Sequence, residues 1–116
     1  MKNETVRKVI SVDKINYSPL FTFKQEDDVM LRLSLYKNSL PFDVTGQKIA
    51  LGAKRQNGSL VQMLDGFTIN KNEIDINLKN SVLAVPGKVE CDLEIQDAEG
   101  KMTTASFFIH VERKMQ

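Results

Sequence analysis

Tryptophan is absent, and two tyrosines and six phenylalanines are the only aromatic rings among the 116 residues apart from one histidine. Platforms that stack sugar rings or nucleobases are built from such side chains, so the chain is poorly equipped for either. Cysteine occurs once, at Cys91, which excludes an internal disulfide and favours assembly inside a cell over secretion. The amino terminus, Met1-Lys-Asn-Glu-Thr5, opens with charge and has no apolar stretch behind it, so no signal peptide is expected. No apolar run approaches the ~20 residues of a membrane-spanning helix. Neither sign of charge dominates: 16 Lys and Arg stand against 15 Asp and Glu, a formal net charge of +1. Such a balance gives no general attraction to nucleic acid or to an anionic membrane.

What the chain does have is alternation. In Asp28–Tyr36, Val29, Leu31, Leu33 and Leu35 alternate with Met30, Arg32, Ser34 and Tyr36. A period of two places the two sets on opposite faces of a strand. Gln47–Arg55 repeats the pattern through Ile49, Leu51 and Ala53, as does Glu73–Leu78 through Ile74, Ile76 and Leu78. Lys88–Gln96 is the cleanest case, with Val89, Cys91, Leu93 and Ile95 against Lys88, Glu90, Asp92, Glu94 and Gln96. Lys101–Val111 closes the series with Ala105, Phe107, Ile109 and Val111 inward. Shorter extended segments are expected at residues 1–12, at Leu20–Phe23, at Leu60–Leu64 and at Phe67–Ile69. Lys79–Val85 reads either as one helical turn or as a loop.

Turn residues separate these runs. Asn57-Gly58 predicts a tight type I′ hairpin, because both residues tolerate positive φ. Gln25–Asp28, Lys37–Phe42, Asp43–Gly46, Asp65-Gly66, Pro86-Gly87 and Asp97–Gly100 are further breaks. Seven or eight short strands at this spacing predict an all-β, antiparallel two-sheet β-sandwich, immunoglobulin-like, in a single domain. Each apolar side chain contributes about 1.5–3 kcal/mol when fully buried, so four per strand face can sustain a core.

Chemistry is thin. His110 is the one histidine, and it is read as an outward residue beside Phe108 rather than as a catalytic base. Cys91 falls on the inward face of its strand, where a thiol behaves as a small hydrophobe. The acidic turns Gln25–Asp28 and Asp97–Gly100 lack the ligand spacing of a calcium loop. Glu90, Asp92 and Glu94 form an acidic stripe that Lys48, Lys54 or Arg55 could face if the strands are neighbours. Asn3-Glu-Thr5 and Asn57-Gly-Ser59 match the glycosylation pattern, the second being better explained by its turn. Tyr36, Met102 and Phe108 are large side chains on nominally outward faces, and they are the candidate residues of a subunit interface. No enzyme, cofactor or metal site is expected.

The order of landmarks carries more. Phe21-Thr-Phe23 precedes the turn and alternating strand at Asp28; Leu40-Pro-Phe-Asp-Val-Thr-Gly46 comes next, then Asn57-Gly58 and Ile74-Asp-Ile76. Pro86-Gly87 leads into the Val89–Ile95 strand, and Ser106-Phe-Phe-Ile-His-Val111 ends the series. This arrangement resembles the N-terminal domain of the upper baseplate (BppU-like) proteins of tailed phages and prophages of Gram-positive bacteria. The likeness covers residues 21–111, with residues 1–20 as an N-terminal strand or arm. One local departure is Gln25-Glu26-Asp27, where a glycine would be expected.

The resemblance implies a virion structural protein of the tail baseplate, assembled in the bacterial host cytoplasm. It implies a non-enzymatic β-sandwich that anchors receptor-binding parts to the tail hub through protein–protein contacts. Its partners would be other tail and baseplate proteins and further copies of itself, not nucleic acid or membrane. The chain, ending Glu112-Arg-Lys-Met-Gln116, is read as an excised domain or a short member of such a family. The alternative is a carbohydrate-binding or adhesin-type sandwich that touches the host surface directly.

Overall fold

The structure is a computed structural model and describes residues 4–14, 19–25, 27 and 29–114. Asn3, Glu26 and Asp28, which figured in the sequence patterns above, lie outside the described residues. The strands are β1 (Glu4–Ser11), β2 (Pro19–Lys24), β3 (Val29–Lys37), β4 (Leu40–Pro41), β5 (Lys48–Lys54), β6 (Leu60–Met63), β7 (Phe67–Asn70), β8 (Glu73–Asn77), β9 (Gly87–Gln96) and β10 (Met102–Glu112). The ambiguous stretch after β8 is a short 3-10 turn, Asn80–Leu83, that buries Val82 and Leu83.

Two sheets pack face to face. The first runs β1-β3-β8-β7, with β4 paired to the end of β3; the second runs β2-β10-β9-β5-β6. The alternating residues meet between them. Val29, Leu31, Leu33, Leu35, Ile74 and Ile76 of the first sheet are fully buried. Leu51, Val89, Leu93, Phe107 and Ile109 of the second face them from the other side of a single core cluster. The reason is periodicity: each strand has one apolar row, and stacking two sheets removes both rows from water at once. Among the described residues, no polar or charged side chain is buried.

The sandwich is mixed rather than wholly antiparallel. β1 runs parallel to β3, and β2 runs parallel to β10. The chain lays β1 on the first sheet, crosses to lay β2 on the second, and returns for β3. Parallel neighbours need such a crossover, and side-chain alternation says nothing about the direction of a partner. Phe21 and Phe23 hold β2 in place. Their rings stack at 5.5 Å, and Phe21 meets Phe107 edge-on at 6.5 Å.

The turns also differ from expectation. At Asn57-Gly58 only Gly58 has positive φ, at 86°, and its amide donates to the Arg55 carbonyl at 2.9 Å. This is a three-residue loop with a left-handed glycine, not a two-residue type I′ turn. The two-residue turn with both central residues at positive φ is Asn38-Ser39 (51° and 66°), which closes the β3–β4 hairpin that the sequence left as a connection. At Asp43–Gly46, the Asp43 carboxylate accepts from the Thr45 amide (2.9 Å) and hydroxyl (2.6 Å), and the turn drives Val44 into the core.

Candidate functional site

With the core accounted for, the surfaces left for function are the two outer sheet faces, the turns and the free strand edges. The outer face of the first sheet carries an ion pair. The Arg32 guanidinium donates Nε to Asp75 Oδ1 at 2.6 Å and Nη2 to Oδ2 at 2.7 Å. These residues lie directly opposite on β3 and β8, so the two-pronged geometry follows from the register. The hydrogen bond from Arg32 holds the Asp75 carboxyl below its ordinary value, with partial burial opposing and the charges of Arg32 and Arg7 adding. Tyr36 lies on this face, at the end where β4 pairs with β3.

Met102 and Phe108 lie on the other outer face, that of the second sheet, six residues apart along β10. That spacing separates them by about 20 Å. The three candidate interface residues therefore do not form one patch. Met102 is half exposed, but Phe108 is only 9% exposed. Lys88 Nζ sits 4.0 Å above its ring, so a lysine stem and ammonium cover what alternation alone left open to water. Pairing between β10 and β2 shifts register between Phe108 and Ile109, and Phe107, Phe108 and Ile109 are buried in succession.

The acidic stripe of β9 lies on the same outer face. Glu90 is opposite Lys54 of β5 and opposite Phe108 of β10. Asp92 lies between Gly52 and Ser106, whose hydroxyl donates to it at 2.7 Å. Glu94 lies between Ala50 and Thr104. The small neighbours leave an open hollow of about 760 Å³ over Gly52, bordered by Leu60 and Phe108. A second hollow, of about 410 Å³, lies between Leu64 and Met102 over Ala50.

The remaining sequence candidates are dispersed. His110 is exposed on the outer face, whereas Cys91 faces the core. Desolvation pushes the Cys91 thiol far above its ordinary value, and the charge of Asp92 adds to this, so it is a packing residue. Cys91 and His110 do not form a nucleophile–base pair. Asp97 uses its carboxylate within its own loop, accepting the amides of Glu99 at 3.0 Å and Lys101 at 2.9 Å. Asp27 likewise accepts the Lys24 amide at 3.0 Å. Among the described residues, no group of three or more His, Cys, Asp or Glu side chains is arranged to hold a metal ion.

Residue-by-residue reading of the sequence missed Leu60 and Leu64. They are 77% and 70% exposed, on and just after the edge strand β6. The signal was available: Leu60, Gln62 and Leu64 share one parity of the strand, opposite to the buried Met63.

A mixed ten-stranded sandwich with a dispersed, polar surface matches many proteins, and comparison narrows the field. The family model described as "BppU N-terminal domain" matches residues 4–116. No curated protein matches. Among solved structures, the "N-terminal domain of phage TP901-1 ORF48" superimposes with a TM-score of 0.71 at 14% sequence identity, covering 94% of this chain and 98% of that one. At that identity the superposition speaks for the fold; the family match speaks for the lineage. The chain belongs to the BppU N-terminal domain family and is a structural domain of the phage tail baseplate.

Proposed function

We propose that this domain is a docking module: a rigid, non-enzymatic sandwich that anchors the receptor-binding parts of a baseplate to the tail hub through protein–protein contacts. The observation that carries the reading is the family match across residues 4–116. The packing supports it. A core fed by both sheets gives a stiff body, and the bound partner then meets faces that need little reordering. The strand order supports an immunoglobulin-like description, with β3-β8-β7 and β10-β9-β5-β6 falling in the places of the B-E-D and G-F-C-C′ strands of that fold.

In this proposal the chain acts as one domain, is assembled into the tail in the host cytoplasm, and has tail proteins and further copies of itself as partners. It has no call on nucleic acid, membrane or cofactor. Tyr36, Met102 and Phe108 are proposed contact residues, Tyr36 serving one outer face and the other two the opposite face. Phe108 contributes through the lid that Lys88 makes with it.

The test is co-sedimentation of the purified domain with tail particles in one tube and with host cell-wall fragments in another. Retention by tail particles alone is the expected result. Retention by wall fragments alone would replace the docking reading with direct glycan recognition. Phe108→Ser that folds and still binds tail particles as before would remove Phe108 from the contact.

A further inference from the structure

Among the described residues, the free edge of β6 combines a lack of charge and proline with two exposed leucines on and just after it. Arg55 donates its amide to the Ser59 carbonyl at 2.9 Å, which makes this pair a hydrogen-bonded one. The β5–β6 register continues Lys54↔Leu60, Ala53↔Val61, Gly52↔Gln62 and Leu51↔Met63. Antiparallel ladders alternate, so Val61 and Met63 spend their backbone groups on β5. Leu60 and Gln62 then point their amide and carbonyl groups away from the sheet; Leu64 follows just past the end of β6, where the chain bends. Among the described residues, nothing pairs with them.

Edges of this kind are usually guarded by charge, proline or a bulge. The edge strand β2 begins at Pro19 and ends at Lys24, and the edge strand β1 carries Arg7 and Lys8. The edge strand β7 turns Thr68 and Asn70 outward. Ser59–Leu64 contains no charge, proline or glycine, and it exposes two leucines. Only another extended strand satisfies a row of alternating donors and acceptors at this spacing.

We propose that the occupant is a second copy of this chain, paired antiparallel through β6 about a two-fold axis at Gln62. The sequence complements itself about that point. Gln62 meets the partner's Gln62, Leu60 meets the partner's Leu64, and Leu64 meets the partner's Leu60. Gln62 and Leu60 bring outward-pointing backbone groups to these pairs, so the pairing closes hydrogen bonds at Gln62 and from Leu60. Both exposed leucines are covered by directly opposite apolar neighbours, and no charge is brought against another. The two second sheets become one continuous sheet of ten strands. This deepens the self-association included in the proposed function and is independent of which tail protein the domain meets. The contact is short, well below the roughly 800 Å² per partner of a standard interface, so the free chain pairs weakly. Neighbours held in an assembly reach it through millimolar-order effective concentration.

Sedimentation velocity from about 20 μM to about 1 mM should show a rising weight-average mass. Gln62→Pro should abolish the rise, because its amide faces away from β5 and proline is tolerated there. If that variant does not fold, Leu60→Lys combined with Leu64→Lys serves the same purpose. Gln62→Cys should give a disulfide dimer about tenfold or more faster than Leu40→Cys, a cysteine on exposed β4. Opposite hydrogen-bonded residues lie about 5.5 Å apart at Cα, within disulfide reach. A constant monomer mass with no preferential cross-link overturns the proposal. Unchanged self-association in Gln62→Pro, together with lost binding to tail particles, also overturns it and assigns the edge to a strand of another tail protein. Lost self-association with tail binding retained supports it and leaves the docking reading intact.

Discussion

Gly87 passes directly beneath the side chain of Gln56. A Cβ on Gly87 would lie 2.6 Å from Gln56 Cγ, and φ at Gly87 is +116°, where side-chain-bearing residues are strained. Gln56 Oε1 accepts the amide of Lys88 at 2.9 Å, so the β5–β6 loop is fastened to the start of β9 at this point. Gly87→Ala should therefore cost about 1–3 kcal/mol in chemical denaturation. Adding Gln56→Ala should recover only part of this, because the Cβ of residue 56, 2.7 Å from the added atom, and the backbone strain both persist. Full recovery in the double variant would show that φ carries no cost here.

Phe107 is fully buried and joins the parallel strand β2 to the body of the second sheet through Phe21. Phe107→Ala should destabilise by about 3–5 kcal/mol, a large share of the roughly 5–15 kcal/mol available to a domain. Thermal unfolding measures it. A loss under about 1 kcal/mol would mean that the core around β2 collapses to fill the space.

Lys88 caps Phe108 with its ammonium 4.0 Å from the ring. Lys88→Ala should cost about 0.5–1 kcal/mol, and Lys88→Met, which keeps the cover without the charge, should cost less than that. Equal losses in the two variants would assign the whole effect to charge over the ring.

Ser39 holds φ at 66° beside Asn38 at 51°. Asparagine tolerates this region better than serine does. Ser39→Gly should stabilise the β3–β4 hairpin by about 0.5–1 kcal/mol. A fall in the unfolding temperature would show that glycine's unfolded-state entropy outweighs the relief of strain.

Asp75 gives the fold part of its acid sensitivity. Its folded carboxyl titrates below its ordinary value of 3.8, chiefly through the Arg32 hydrogen bond. The contribution is thus present above the unfolded value and is lost as pH falls from there through the lower folded one. Asp43 and Asp13 have the same sign, through hydrogen bonds from Thr45 and Ser11 respectively. Asp75→Asn should therefore reduce, without abolishing, the difference in stability between about pH 7 and about pH 3. An unchanged difference would remove the Arg32 pair from the acid response.

Several elements were legible in the chain because their determinants are local. The inward rows of β3, β8, β9 and β10 follow from a period of two, which sets the two faces whatever the partner strand. The burial of Cys91 follows from the same parity. The Asp43–Gly46 turn was readable as a turn, because aspartate and threonine bond their own backbone there. Phe108 and Leu60 show where this ends. Parity placed Phe108 outward, and the same rule, not applied to Leu60, would have placed it outward too; both are outward, yet one is covered and the other bare. The difference is Lys88, one level along the neighbouring strand β9, and the position of β6 at an edge; neither is a property of the local sequence. Likewise Tyr36, Met102 and Phe108 looked equivalent in the chain and are divided between two faces by sheet assignment.

By itself, then, the sequence determined the sandwich class, the core rows and, through the order of its turns, the resemblance to upper baseplate domains. Tertiary structure decided the parallel placement of β1 and β2 and which strand edge stays open. The physical reason is one of range. Face and turn are set by φ, ψ and neighbouring side chains within a few residues. Strand order and direction are set by which distant segments bury the most apolar surface together, and that is a property of the assembled core.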